Sequence, residues 1–321
     1  MKHSLLARPI QAIGFSLLIS FTSFAAAQGA SNAPVSLVVP FAPGGSVDLV
    51  ARAVSEPLAK ELKSTVVVDN RPGASGSLGA LHTIRSTPNG KTLLLGSTST
   101  ISVRPLLEPP PGYDPAKDLT PLNLTAGVPH VIVANPSVPA SNIKELIALA
   151  KSSKDSLSWG DSGPGTPHHL AGQLLAREAG IDLLFVAYRG TSAVVTDLVA
   201  GHVQVSSVEM GVALPYIQNG RLKVLGISSL ERNKALPDVP TVSEQGVEGY
   251  NIQSWFGFFA PSQTPAAQVK ELTDALKAAV SSEQAIQALN QSGLEAINQS
   301  GPEFQEFLKR EHAKWSRAIG K

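Results

Sequence analysis

The run Val35-Ser36-Leu37-Val38-Val39 is apolar, rich in β-branched residues, and stops at Pro40. A short run of this kind reads as a buried strand. Pro43, Gly44 and Gly45 follow as a loop, and Ser46 is placed to cap a helix that starts near Val47. A strand, a glycine loop and a helix N-terminus in that order commit this part of the chain to an α/β unit. They also make a place to hold an anion. Glycines let the backbone come close, the first helical N–H groups have no internal partner, and the helix dipole is positive there.

The phosphate signatures that use this geometry are missing. Arg85 stands where a GxxxxGK[ST] loop ending at Gly90-Lys91-Thr92 would need its first glycine, and no GxGxxG follows a strand. The loop therefore suits a carboxylate better than a nucleotide, or it serves only as a turn.

The unit then recurs. Val50, Val54, Leu58 and Leu62 form an apolar helical stripe, with Pro57 inside it expected to kink or restart the helix. Strands are expected over 65–68 and 92–95, with a helix between them that ends near Arg85. Ser97 and Thr98 belong to a hydroxyl-rich loop after the third strand. Residues 128–134 read as a strand leaving this first set, and Ser141 as the cap of a helix through Lys151. A second set follows, with strands over 156–160, 183–188, 203–208 and 222–228. Helices are expected from Thr166-Pro167, from Ser192 and from Glu209. The aromatic stretch 250–259 passes back to the first set, and capping boxes are read at Thr241/Glu244, Ser281/Gln284 and Ser300/Glu303. Alternating strands and helices imply parallel sheets covered by helices. Two such lobes joined by two crossing strands leave a cleft, and ligands bind where strand C-termini face it.

Composition narrows the classes. A 321-residue chain with 43% hydrophobic and 16% charged residues can bury a large core, and a formal net charge of +1 gives no reason to expect nucleic acid. Lys2 and Arg8, an apolar stretch over 10–24 and Ala25-Ala26-Ala27 have the three-part order of a cleaved signal peptide, residues 1–27. The chain has no cysteine, so neither disulfides nor a lipidated cysteine are available, and a periplasmic monomer is the simplest expectation. Catalytic signatures are missing too. There is no GxSxG, no HExxH and no thiol. His168 and His169 are adjacent, so on a helix they point about 100° apart and make a poor chelating pair. No enzyme activity, cofactor or metal is expected. Arg104 and Arg189 are each able to meet an acid or to sit on a solvated surface.

Several longer segments carry a family resemblance. PFAPGGSVD, VVVDNRPGASGSLGA, GKTLLLGS, NPSVPASNIKELIALAK, SGPGTPHHLAGQLL, VAYRGTSAVVTDLVAGHV, GISSLERNKALPDVPTVSEQG and SWFGFFAP, in that order, resemble the Bug-type receptors. These are the substrate-binding proteins of tripartite tricarboxylate transporters. The resemblance implies a two-lobed periplasmic binding fold of type II, each lobe a mainly parallel sheet flanked by helices. Lobe 1 is then 28–126 plus 253–321, and lobe 2 is 127–252. It implies a small organic carboxylate as ligand and a membrane permease as partner, with a sensor kinase or an extracytoplasmic enzyme as alternatives. By the same resemblance Phe41, Gly44, Gly45, Ser46 and Asp48 form the first ligand loop, with Ser97 and Thr98 nearby. Ser162, Gly163, Thr166, His169, Tyr188, Gly190, Thr191 and Glu209 are the second-lobe candidates. Two positions depart from the family pattern. Val208 stands where an Asp is common, with Glu209 beside it, and Asp161-Ser162 replaces a serine pair.

Overall fold

The computed structural model describes residues 33–188 and 190–319. The expected signal peptide and the candidate Arg189 lie outside the described residues.

Strand β1 (Val35–Val39) leads into helix α1 (Ser46–Leu62), then β2 (Val66–Asn70), α2 (Ser77–Ile84) and β3 (Thr92–Ser97). β1 pairs in parallel with both β2 and β3, as the alternating pattern required. Val50, Val54 and Leu58 are fully buried, which is why the stripe drives α1 onto the sheet. The helix runs unbroken through Pro57, whose ring is buried, so the expected restart does not occur. The missing N–H costs one ladder bond, and burial of the ring offsets part of that.

After the short helix α3 (Pro115–Asp118) comes β4 (Leu119–Ala134), a 16-residue strand that organises the whole sheet. It is more than twice the length expected from the sequence, because residues 119–127 are paired as well as 128–134. Its first part pairs antiparallel with β9 (Gln253–Pro261) and β10 (Glu295–Ser300). Its last part pairs antiparallel with β7 (Val205–Glu209) and β8 (Lys223–Ile227). The second parallel set is β5 (Leu157–Asp161) with β6 (Leu183–Ala187) on one side and β7 on the other. The strand order is β2-β1-β3-β9-β4-β7-β5-β6.

Helices α4 (Ile143–Ser152), α5 (Pro167–Ala179), α6 (Thr191–Ala200) and α7 (Met210–Gln218) cover the second set, and α8 (Ala266–Ser281) and α9 (Glu283–Gln291) cover the first. Several caps fall one residue from their expected positions. Asn142 rather than Ser141 accepts the first-turn N–H of α4, and Ser282 rather than Ser281 caps α9. Thr241 and Glu244 do exchange the two bonds of a capping box, but the segment after them is a turn and no helix follows. Thr166 caps α5 with Pro167 behind it, as expected.

Buried apolar residues gather on the two strand sets separately. Leu37, Val54, Leu95 and Phe258 belong to one cluster, and Ile132, Trp159, Leu175 and Val205 to another. The last helix, α10 (Pro302–Ile319), joins them: Phe304 packs with Trp255 and Phe259 of the first set, while Trp315 lies in the cluster of the second. No helix among the described residues is long and apolar enough to cross a membrane.

Candidate functional site

The loop after β1 is built by hydrogen bonds from outside it. Asp48, in the first turn of α1, is 2% exposed and reaches back to accept the Gly44 N–H at 3.0 Å. It also accepts both Arg52 guanidinium contacts at 2.8 and 3.1 Å, and the Asn70 side-chain amide at 3.0 Å. Burial pushes this carboxyl up, but the Arg52, Gly44 and Asn70 donors outweigh it and hold it below the usual aspartate range. With its acceptor sites taken, Asp48 shapes the loop. The Asn70 amide also donates to the Phe41 carbonyl at 3.1 Å.

The N-cap of α1 is Gly45, not Ser46, and it supplies no side-chain cap. Gly45 is extended at φ −86°, so the left-handed position is its neighbour Gly44 at φ 85°. Both glycines are exposed, and a Cβ on Gly45 would meet only the Ala42 carbonyl, at 3.8 Å. The loop therefore brings an uncapped helix N-terminus to the surface behind two residues without side chains. That is the arrangement an anion requires.

The loops after β2 and β3 close against it. A Cβ on Gly76, at φ 90°, would fall 2.4 Å from Thr100 Oγ1 and 3.3 Å from the Phe41 ring. The hydroxyl-rich segment expected as a loop is instead a π-helical turn over Thr98–Val103, with Ser97 as its N-cap accepting the Thr100 N–H. Thr98 Oγ1 accepts the Trp255 N–H at 2.9 Å, so that hydroxyl ties β3 to β9.

On the second set, β5 ends at Asp161, which is fully buried. It accepts the Gly163 N–H at 2.7 Å and faces His169 Nδ1 at 2.9 Å. Thr166 Oγ1 donates to the Gly163 carbonyl and accepts the His169 N–H. Gly163, Thr166 and His169 thus form one Asp161-centred knot, with the His169 ring against Phe185 at 4.8 Å. Ser162 Oγ is buried and has no partner. The Tyr188 hydroxyl donates to Asp197 at 2.8 Å, and partial burial with that carboxylate pushes it up to about 12. Gly190 is the N-cap of α6 and supplies no side-chain cap.

A third cluster lies where β4 meets β7. His130 sits opposite Glu209 in the strand register. His168 Nε2 is 2.9 Å from Glu209 Oε2 and 3.2 Å from Thr191 Oγ1. The His130 ring lies 5.0 Å from that of His168 and bonds Ser207 on β7 and Ser254 on β9. Burial pushes His130 down to about 3, so it is neutral. Burial also pushes Glu209 up, but His168 beside it, hydrogen-bonded to its carboxylate, outweighs this and holds it below the usual glutamate range. Of the candidates, then, Thr191 and Glu209 come together, whereas Gly163, Thr166 and His169 form the separate knot. Sequence reasoning missed Asn70 and His130 and set His168 aside. The one available signal was polar residues inside strands that are otherwise apolar.

Residues 50–321 match the model of the tripartite tricarboxylate transporter family receptor. The chain belongs to that family. Its fold agrees with solved members. The periplasmic binding protein BugD is 33% identical with a TM-score of 0.81, covering 89% of this chain and 96% of that one. Rpa4515 of R. palustris, solved with adipate, is 30% identical with a TM-score of 0.83, covering 89% and 96%. MatC of Rhodopseudomonas palustris, solved with bound malate, is 30% identical with a TM-score of 0.80, covering 89% and 98%. The Bug-type resemblance and the α/β periplasmic binding fold both stand on these matches, and the chain is a solute-binding receptor of this periplasmic family.

Proposed function

We propose that this receptor captures a small organic carboxylate in the crevice between lobe 1 (28–126 plus 253–321) and lobe 2 (127–252). It then delivers the ligand to the membrane permease of a tripartite tricarboxylate transporter. The observation that carries the reading is the uncapped N-terminus of α1 behind Gly44 and Gly45. Amide donors at a helix start bind a carboxylate by charge-assisted hydrogen bonds without needing an arginine. Relatives of the same fold solved with adipate and malate support the ligand class. The second-lobe contacts come from the ends of β5, β6 and β7, with Ser162 Oγ as a buried hydroxyl still lacking a partner. The leader over 1–27 sends the chain to the periplasm, where it acts as a binding protein and not an enzyme.

Thermal melting of the mature protein against a panel of mono- and dicarboxylates, each paired with its methyl ester, tests this. Acids are expected to raise the melting temperature and esters to lose most of the effect, about tenfold or more in affinity for each charge-assisted bond removed. Equal shifts from acid and ester remove the carboxylate reading. Uptake of the best ligand in a strain lacking the permease tests delivery, and cleavage after Ala27 is checked by the intact mass of the periplasmic fraction.

A further inference from the structure

The cluster at the junction of β4, β7 and α5 is more than the carboxylate reading needs. We propose that His130, His168 and Glu209 form a site for a zinc-type divalent cation. The inference stands on these residues and does not depend on which solute the receptor carries.

The geometry comes first. One ligating atom from each residue lies within 4.8 Å of the other two. In a tetrahedral zinc site with metal–ligand bonds of about 2.0–2.1 Å, ligand atoms are on the order of 3.3 Å apart. His168 Nε2 and Glu209 Oε2, at 2.9 Å, need to part by only a few tenths of an ångström around an ion. His130 has to close the rest of the gap.

The donor set decides the class of ion. Two imidazoles and one carboxylate suit zinc and its neighbours, whereas calcium and magnesium take oxygen ligands. Three protein ligands leave a fourth tetrahedral position, and Thr191 Oγ1 lies beside it, 3.2 Å from His168 Nε2.

The surroundings fit as well. His130 holds one serine with each ring nitrogen, Ser207 at 3.2 Å and Ser254 at 2.8 Å. Turning one nitrogen to an ion gives up one of these bonds. The other remains as the outer hydrogen bond that fixes the tautomer of a metal-bound histidine. His168 Nδ1 is buried with no partner, in a residue only 5% exposed. Its Nε2 is therefore the ring nitrogen held among protein ligands, turned to Glu209 and Thr191. The three residues are far apart in sequence and come from β4, the first turn of α5 and the end of β7. The adjacent pair His168-His169 does not chelate, because His169 is turned to Asp161.

The test uses the tag-free mature protein, stripped with a chelator that is then removed, in a buffer without carboxylates. Zinc chloride is titrated by calorimetry, and cobalt chloride by visible absorption. One saturable equivalent is expected, with the intense bands of low-coordinate cobalt. Glu209→Gln and His168→Gln should each weaken binding by at least ~tenfold. His312→Ala, on an exposed histidine of α10, should leave it unchanged. Circular dichroism and melting confirm that each variant is folded, and His130→Asn replaces any variant that is not. No saturable binding in the unaltered protein overturns the proposal. So does binding that survives the cluster variants, or that is lost with His312. A protein that binds zinc but no carboxylate overturns the proposed function and leaves the metal site standing.

Discussion

The side-chain amide of Asn70 lies 3.0 Å from Asp48 Oδ1, joining the last residue of β2 to the first turn of α1. With the 3.1 Å bond from the same nitrogen to the Phe41 carbonyl, it holds the loop after β1 by both ends. Asn70→Ala leaves a buried carboxylate short of one donor and a carbonyl unpaired. The expected cost is about 1–3 kcal/mol of folding stability. Ligand affinity is expected to fall as well, because the loop loses its fixed shape without losing a contact atom. Urea unfolding and calorimetry on the same preparation check both. Unchanged stability would show that the network is slack.

The Asp48 carboxylate also sets a pH dependence. Its folded value lies below the ordinary 3.8. A depressed acid contributes stability that is fully present above the unfolded value and is lost as pH falls through the folded value. The stability difference between the unaltered protein and Asp48→Asn is therefore expected to be constant from neutral pH down to about pH 5 and to shrink below pH 4. The readout is the difference in urea midpoint across that range. A gap that stays constant down to pH 2 counts against an ionised Asp48 as the hub.

Glu311 makes a comparable link at the other end of the chain. Its Oε2 accepts both the Trp255 and the Trp315 indole N–H groups, at 2.9 and 2.8 Å, with 7% of the residue exposed. Trp255 belongs to the core of the first strand set and Trp315 to that of the second, so this oxygen spans the two. Glu311→Ala leaves two buried donors unpaired, and an expected loss of about 2–4 kcal/mol follows. Glu311→Gln keeps an acceptor oxygen in place and should cost under half as much. Equal losses in the two variants would assign the effect to packing.

Much of this fold was legible because its signals are local. β-branched runs gave β1 and β2, the leucine run 93–95 gave β3, the four-residue stripe gave α1, and Thr166-Pro167 gave the start of α5. The misses are places where a neighbour distant in sequence decides. Residues 119–127 carry Pro121, Asn123 and Gly127, and they became strand only because β9 and β10 pair with them. Ser46 lost the cap position to Gly45 because Asp48 reaches back to Gly44 and turns the chain one residue earlier. The same holds for the site. Glycine loops show in the sequence, but the meeting of His130 with Glu209 depends on strand register across 79 positions, which no local pattern records.

That correction at the cap sharpens the test of the first loop. If Gly45 were the left-handed residue, a valine there would strain the backbone, and loss of binding would be confounded with loss of fold. Gly45 instead has φ −86°, and a Cβ there meets only one carbonyl at 3.8 Å. A β-branched side chain is compatible with such an extended backbone. Gly45→Val is therefore expected to change folding stability by less than about 1 kcal/mol. It places two methyl groups over the open N-terminus of α1. Carboxylate affinity should then fall at least a hundredfold, roughly 2.7 kcal/mol. Gly44→Val is the contrast. At φ 85° a β-branched residue is strained, so that variant is expected to lose stability by about 1–3 kcal/mol, whatever its effect on the ligand. Melting curves for both variants, with and without the best acid from the panel, separate the two effects. A ligand-induced shift that survives undiminished in Gly45→Val would mean that the loop is a turn and the carboxylate binds elsewhere.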